Sequence, residues 1–305
     1  FCGGVAGYSK NGSLAALSLE GRIIAHRASG GLAGALENGS IQGSRADVEM
    51  KTTMEFTGGL AGYITSSGSI SGLISGSSSQ GSIQGQSNLG GITGLISWGT
   101  VQDCFSHVAV SGLNFIGGMV GSQGTYSNPG YISRCYSTGP VTLSPGGTNA
   151  GGLVAMLYNG SIQASYWDVN TSGMTTSSGL GSTGLSTAQM TYPGSLDYFG
   201  SWDFASIWRH DSTSLQNAGY PYLAWQEVPV PDAVQNLVIS ASSGQFLLEW
   251  QAVDGVSLYK VYASENPYAP LNQWTYIGQS AGTSMVVSGG DRRFFIVRSV
   301  GMERR

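Results

Sequence analysis

Three histidines, His26, His107 and His210, and three cysteines, Cys2, Cys104 and Cys135, offer this 305-residue chain its strongest nucleophilic, acid-base and metal-binding side chains. Zinc sites draw such ligands at short fixed separations, and no H-x-x-x-H or Cys/His spacing of that kind occurs. Each histidine is therefore read as a packing or surface residue. The acidic residues of positions 1–190 are Glu20, Glu37, Asp47, Glu49, Glu55, Asp103 and Asp168. Glycan hydrolysis needs two carboxylates flanking one bond, and these residues do not recur in register. Gly179, Gly181 and Gly184 satisfy G-x-G-x-x-G, but a dinucleotide site needs a preceding strand inside a βαβ unit, so the segment is read as a loop. No calcium-binding nonapeptide array is present. The chain is accordingly expected to be a non-enzyme, with no catalytic, cofactor-binding or metal residues and no cofactor.

What the sequence does repeat is glycine. Pairs begin at Gly3, Gly30, Gly58, Gly90, Gly117 and Gly151, a spacing of roughly 30 residues that marks a repeat architecture. A second glycine follows at Gly12, Gly39, Gly68, Gly99, Gly130 and Gly160, then Ser, Thr or Tyr, then Leu, Ile or Val. The stretches between are too short and too rich in glycine for helices and alternate as strands do. Each unit then forms one coil, and coils stack at ~4.8 Å. Residues one repeat apart fall one above another. Leu32, Leu60, Ile92, Met119 and Leu153 are expected to form one apolar ladder, and Ile41, Ile70, Val101, Ile132 and Ile162 a second. Asn11, Asn38 and Asn159 supply positive backbone angles at the turns. They also open N-x-S/T sequons, as does Asn170.

Cys104 and Cys135 each stand three residues after a ladder position in adjacent coils, so they are expected to stack. At that spacing they form either a disulfide or two buried thiols. Cys2 has no evident partner.

Charged residues make up 10% of the chain and the net charge is -4, which excludes the basic face of a nucleic-acid binder. No apolar run approaches the roughly 18 residues of a membrane-spanning helix. The apolar content of 41% exceeds that of a solvated Gly/Ser linker.

The pattern GG-L-x-G, a turn glycine with S-I, and "CYSTGPV" at Cys135 to Val141 resembles the GLUG repeat of bacterial surface proteins and adhesins. The segment from Tyr166 to Met190, with "WDF" at Trp202 and "GYPYLAW" at Gly219, is similar to the tail that closes such arrays. This resemblance implies cell-surface display or attachment. The second, third and sixth units lack the cysteine-aromatic pair frequent in that family.

Four regions follow: a GLUG-type β-solenoid over 1–168, an aromatic-rich cap over 169–226, a connector over 227–232, and a small β-sandwich over 233–305. The cap, with Trp167, Trp202, Phe204, Trp208, Tyr222 and Trp225, is expected to cover the exposed coil end; the rival is an aromatic platform for carbohydrate. Ser186 and Gln189 form a capping box that starts a short helix. Trp250, the "YKVY" run from Tyr259 to Tyr262 and the "FIVRSV" run resemble a fibronectin type III domain, with Phe295 where a tyrosine is expected and only "GMERR" left for a last strand. The fold class is all-β: a solenoid of about six coils, capped, followed by a small sandwich. The expected function is extracellular adhesion, display or assembly, with a cell-surface glycan or protein as receptor. The first unit opens at the first residues and the sandwich pattern is one strand short, so either edge is expected to accept a second copy, giving a homopolymer. A glycan-binding module or carbohydrate-active β-helix enzyme is the alternative.

Overall fold

A computed structural model describes residues 1–67, 71–214, 216–227, 234, 236–242, 245–253, 256, 258–266, 274–288 and 294–299. Two compact units are present, one of residues 1–212 with 219–225 and one of residues 213–218 with 226–305. Most of the expected connector and the "GMERR" segment lie outside the described residues.

The first unit is a parallel β-solenoid of six coils. One face stacks Ala6–Lys10, Ala33–Glu37, Ala61–Thr65, Thr93–Ser97, Val120–Gln123 and Val154–Leu157. A second stacks Ser13–Ala15, Ser40–Gln42, Gly72–Ser75, Gly99–Gln102, Gly130–Ser133 and Gly160–Gln163. The third side is a larger parallel sheet whose long strands include Arg45–Thr52, Ser78–Gln84, Ala109–Gly117 and Val141–Gly151.

The glycine pairs earn their recurrence through close approach. A Cβ on Gly31 would lie 2.2 Å from the Gly59 carbonyl oxygen, and one on Gly59 would lie 2.1 Å from that of Gly91. Neither contact is physically tolerable. Because the backbones meet there, Leu32 donates its N–H to the Leu60 carbonyl, Leu60 to Ile92, Ile92 to Met119 and Met119 to Leu153. All five side chains are buried in one continuous apolar core. Burying each contributes about 1.5–3 kcal/mol before chain entropy is subtracted.

The second ladder differs from expectation in one coil. Its members are Leu14, Ile41, Ile74, Val101, Ile132 and Ile162, in register across the second face. Ile74, not Ile70, fills the third rung, and Gly72, not Gly68, is the corner glycine paired with Gly99. Residues inserted between Thr65 and Gly72 lengthen this corner and move the register. Ile70 itself lies outside the described residues.

Turn chemistry also divides. Asn11 and Asn38 both take φ 52°, as their type allows, whereas in the sixth coil Gly160 holds the positive angle at φ 114° and Asn159 does not.

The aromatic-rich segment does not act chiefly as an end plug. Trp167, with partly buried Val169 and Met174, closes the end of the apolar core, and Ser182–Leu185 adds a further parallel strand beside Ser165–Asp168. Half of the GLGSTG segment read as a loop is therefore strand. The capping box forms: Ser186 Oγ accepts from Gln189 N–H, and the Gln189 side chain accepts from Ser186 N–H. Trp202, Trp208 and Tyr220 instead cover the flank of the fourth to sixth coils, packing on Phe105, Tyr136 and Tyr166. They are buried and offer no carbohydrate platform.

The second unit contains two three-stranded antiparallel sheets. In the first, Gln245–Glu249 lies between Val238–Ser242 and Ser284–Ser288; in the second, Tyr259–Ser264 lies between Thr275–Ser280 and Phe294–Ser299. Leu248, Trp250, Tyr259, Val261, Val287 and Val297 form its core.

Candidate functional site

The corner that joins the first face to the second changes character along the stack. In the first two coils it is polar: Lys10 Nζ lies 2.9 Å from Glu37 Oε1, and the Tyr8 hydroxyl donates to the Glu37 carboxylate. Asn11 and Asn38 occupy the left-handed position before the corner glycine. In the fourth coil that position belongs to Trp98, at φ 68°. A bulky residue there costs about 1–3 kcal/mol and is retained only where something else requires it. Trp98 is 39% exposed, and Phe56 and Phe115 take the same left-handed region at φ 65° and 56°.

The fifth coil lengthens this corner into the loop 124–129. Thr125 N–H donates to the Asn128 carbonyl at 2.7 Å, Asn128 N–H to Thr125 Oγ1 at 3.2 Å, and Asn128 Nδ2 to Ser97 Oγ at 3.3 Å. This closed loop lifts Tyr126 to 91% exposure. In the sixth coil Tyr158, anchored by its N–H on the Gln123 carbonyl, presents a ring 5.7 Å from that of Tyr126, at 58°. Tyr131 is also exposed and stands in register between Thr100 and Ser161. Segments 95–102, 120–133 and 154–163 contain no Lys, Arg, Asp or Glu. The corner thus offers apolar ring faces beside hydroxyl and amide groups, with no formal charge. Such a surface can stack on a flat apolar ligand face and hydrogen-bond its edges. Sequence reasoning sought exposed rings between Tyr166 and Trp225 and missed these four. The available signal was a tryptophan in a slot that three other coils fill with asparagine, at Asn11, Asn38 and Asn159.

The cysteines occupy a hydroxyl slot. Three residues after the second ladder stand Leu17, Ser44, Ser77, Cys104, Cys135 and Ser165. Ser44, Ser77 and Ser165 each donate to the carbonyl two residues back at 2.8 Å, while Cys104 Sγ and Cys135 Sγ do the same at 3.1 and 3.2 Å. Both thiols are buried and unbonded to each other, and Cys2 is also free. Burial, reinforced by Cys104, pushes the Cys135 thiol well above its ordinary range. These are inert structural thiols, not nucleophiles.

Beside them, Arg134 forms a bidentate pair with Asp103, Nε to Oδ1 and an Nη to Oδ2 at 2.7 Å each, and Trp208 Nε1 donates to Asp103 Oδ1 at 3.3 Å. The hydrogen bond to Asp103 raises the Arg134 pKa against the opposing effect of burial. This cluster fastens the aromatic segment to the flank. Tyr220 does the same from the next coil, donating its hydroxyl to Asp168 Oδ2 at 2.7 Å; burial foremost, then Asp168, raises its pKa.

Spacing along the chain did not reveal what each histidine meets. His26 Nδ1 lies 2.5 Å from Thr53 Oγ1, His107 contacts the Thr138 hydroxyl, and His210 Nδ1 lies 3.4 Å from Ser195 Oγ. Burial lowers the His210 pKa, which favours the neutral, proton-accepting ring. Ser195 is 1% exposed. Among the described residues no three His, Cys, Asp or Glu side chains gather as a metal site, and no helix is long and apolar enough to cross a membrane. A shallow groove over the long strands, lined by Glu49, Lys51, Gln84, Ser111 and Thr142, has one carboxylate, which faces Arg22 at 3.6 Å.

No family model and no curated protein matches this chain. A solved structure does: a protein described as a "putative immunoglobulin A1 protease from Bacteroides ovatus" is similar at 15% sequence identity and a TM-score of 0.51, over 68% of this chain and 76% of that one. At that identity the likeness concerns fold. It nevertheless corrects the expectation of a non-enzyme, because a protein sharing the architecture is itself described as a protease. Sparse carboxylates and separated histidines along a sequence did not justify excluding catalysis.

Proposed function

We propose that this chain is the rigid, repeat-built portion of an extracellular adhesion or display protein, holding a ligand-binding corner on its fourth to sixth coils. The observation that carries the reading is the concentration of Trp98, Tyr126, Tyr131 and Tyr158 at one solvent-facing corner while the buried apolar ladders beneath run unbroken from the second coil to the sixth. Outward rings on an invariant scaffold are what a recognition surface requires. The GLUG-like pattern supports surface placement, and the fibronectin-like order of strands in the second unit suits a spacer module. The test is retention of the labelled whole chain on bacterial or host cell surfaces and on immobilised polysaccharides. Saturable retention is expected; retention no greater than that of serum albumin on every surface overturns the reading.

The second reading is peptide-bond hydrolysis, favoured by the Ser195–His210 contact together with the description of the similar structure. In that reaction Ser195 Oγ attacks the scissile carbonyl and passes its proton to His210, which returns it to the departing amine as the C–N bond breaks; water, deprotonated by His210, then cleaves the acyl ester and the proton returns to Ser195. Ser195 is buried, so residues 191–211 would have to open first. Incubation with immunoglobulin A1 and casein tests it: cleavage lost in both Ser195→Ala and His210→Ala supports the pair, and no cleavage by the unmodified chain removes it.

A further inference from the structure

We infer that the corner of coils four to six binds an uncharged, extended oligosaccharide lying along the solenoid axis; this rests on the adhesion reading and names its ligand. Three features of this corner point the same way. Trp98 keeps a left-handed backbone at φ 68° and leaves 39% of its surface open to solvent at the corner. The loop 124–129 is fixed by three hydrogen bonds, one of them to the neighbouring coil at Ser97, and its most exposed ring is Tyr126. Tyr158 then pairs with Tyr126 at 5.7 Å, the two rings tilted by 58° across successive coils.

The chemistry selects the ligand class. Pyranose rings carry an apolar C–H face that stacks on aromatic rings and an equatorial rim of hydroxyls that hydrogen-bonds to groups such as the tyrosine hydroxyls and the Thr100 and Ser161 side chains. Coils repeat at ~4.8 Å, a step comparable to one sugar ring along an extended chain, so successive coils can meet successive sugars. The absence of Lys and Arg from these three segments leaves nothing to pair with a uronate, sialate, sulfate or phosphate, and the chain as a whole is acidic. Charge complementarity therefore favours a neutral glycan over an acidic one, and over nucleic acid.

The experiment titrates the whole chain by calorimetry with cellohexaose, maltohexaose, xylohexaose and mannohexaose, and separately with a galacturonic acid hexamer. At least one neutral hexamer is expected to bind. Tyr126→Ala and Tyr158→Ala each weaken that binding by about ten-fold, the scale of one aromatic contact. Trp98→Asn restores the residue type of the first two coils, so it keeps the corner folded and reports the ring alone. Tyr8→Ala, in the first coil, leaves binding unchanged. The inference is overturned if no neutral hexamer binds at millimolar concentration, if the acidic hexamer binds and the neutral ones do not, or if binding survives all three corner substitutions. Cell-surface retention that persists in the triple variant sinks this inference alone, whereas absent retention by the unmodified chain sinks the adhesion reading beneath it.

Discussion

Coils one to three and coils four to six share a backbone and differ in what they turn outward. One register position on the large sheet reads Ser18, Arg45, Ser78, Phe105, Tyr136 and Tyr166 from the first coil to the sixth. Ser18 and Arg45 are exposed and Ser78 is buried, and where the slot is aromatic Phe199, Trp202, Trp208, Tyr220 and Leu223 join it in one apolar cluster. The neighbouring corner makes the same switch, from Lys10, Asn11, Glu37 and Asn38 to Trp98, Tyr126 and Tyr158. Inward positions keep a buried apolar ladder from the second coil to the sixth. A solenoid thus separates two tasks that a globular domain mixes: the interior fixes the coil, and the exterior is free to specialise by coil number.

The largest effect expected from that difference is at the shared flank slot. Tyr136 is fully buried and donates its hydroxyl to the Pro221 carbonyl at 2.7 Å, whereas Ser78, two coils earlier, fills the same slot with a small side chain. Tyr136→Ala is expected to destabilise the first unit by about 3–5 kcal/mol, and Ser78→Ala by about 0.5 kcal/mol or less. Urea unfolding followed by tryptophan fluorescence measures both. Equal midpoints for the two variants would mean the rings are not docked as described.

The interior offers the converse test. Leu60, in the third coil, and Leu153, in the sixth, occupy the same ladder and are equally buried. Leu60→Ala and Leu153→Ala should each cost about 2–5 kcal/mol, with no systematic difference between the halves. A large cost in one half and a negligible one in the other would show that the stack is not a single core.

How much of this was legible in the chain itself depends on which way a residue points. Leu32, Leu60, Ile92, Met119 and Leu153 could be aligned because glycine pairs mark their register and the core admits few residue types. Ile70 failed as a ladder member because an insertion inside a polar corner has no periodic signature, so Ile74 took the rung unseen. Outward choices are weakly constrained by folding, and a sequence search therefore sees Trp98 only as one more aromatic residue. Trp202 and Trp208 were placed in a cap by composition alone, which cannot distinguish an end from a flank. The Ser195–His210 contact crosses a turn, and no spacing rule anticipates it.

Trp98 sharpens the comparison at the corner. If the ring is held against its own backbone preference, Trp98→Asn should stabilise the chain by about 1 kcal/mol, the lower end of the strain stored at such a position. Asn11→Trp in the first coil should destabilise by a similar amount. Thermal and urea midpoints report both, and a Trp98→Asn chain that is markedly less stable would reassign the ring to packing.

The smallest effect at pH 7 concerns the two coils that carry thiols where their neighbours carry hydroxyls. Cys135→Ser places in the fifth coil the residue already present at Ser44, Ser77 and Ser165, with the same carbonyl acceptor, so the change at neutral pH should be about 0.5 kcal/mol or less. Alkali separates the two chains. Burial holds the Cys135 pKa above its unfolded value, so folding keeps a proton that the unfolded thiol releases above about pH 8.5. The folded-state advantage of the neutral thiol is complete below that pH and declines as pH rises toward the folded pKa, by up to about 1.4 kcal/mol per pH unit. Serine has no such titration. Cys135→Ser should therefore have overtaken the unmodified chain by about pH 9.5, in urea midpoints taken under reducing conditions, and midpoints that stay parallel from pH 7 to that point would place the thiol within reach of water.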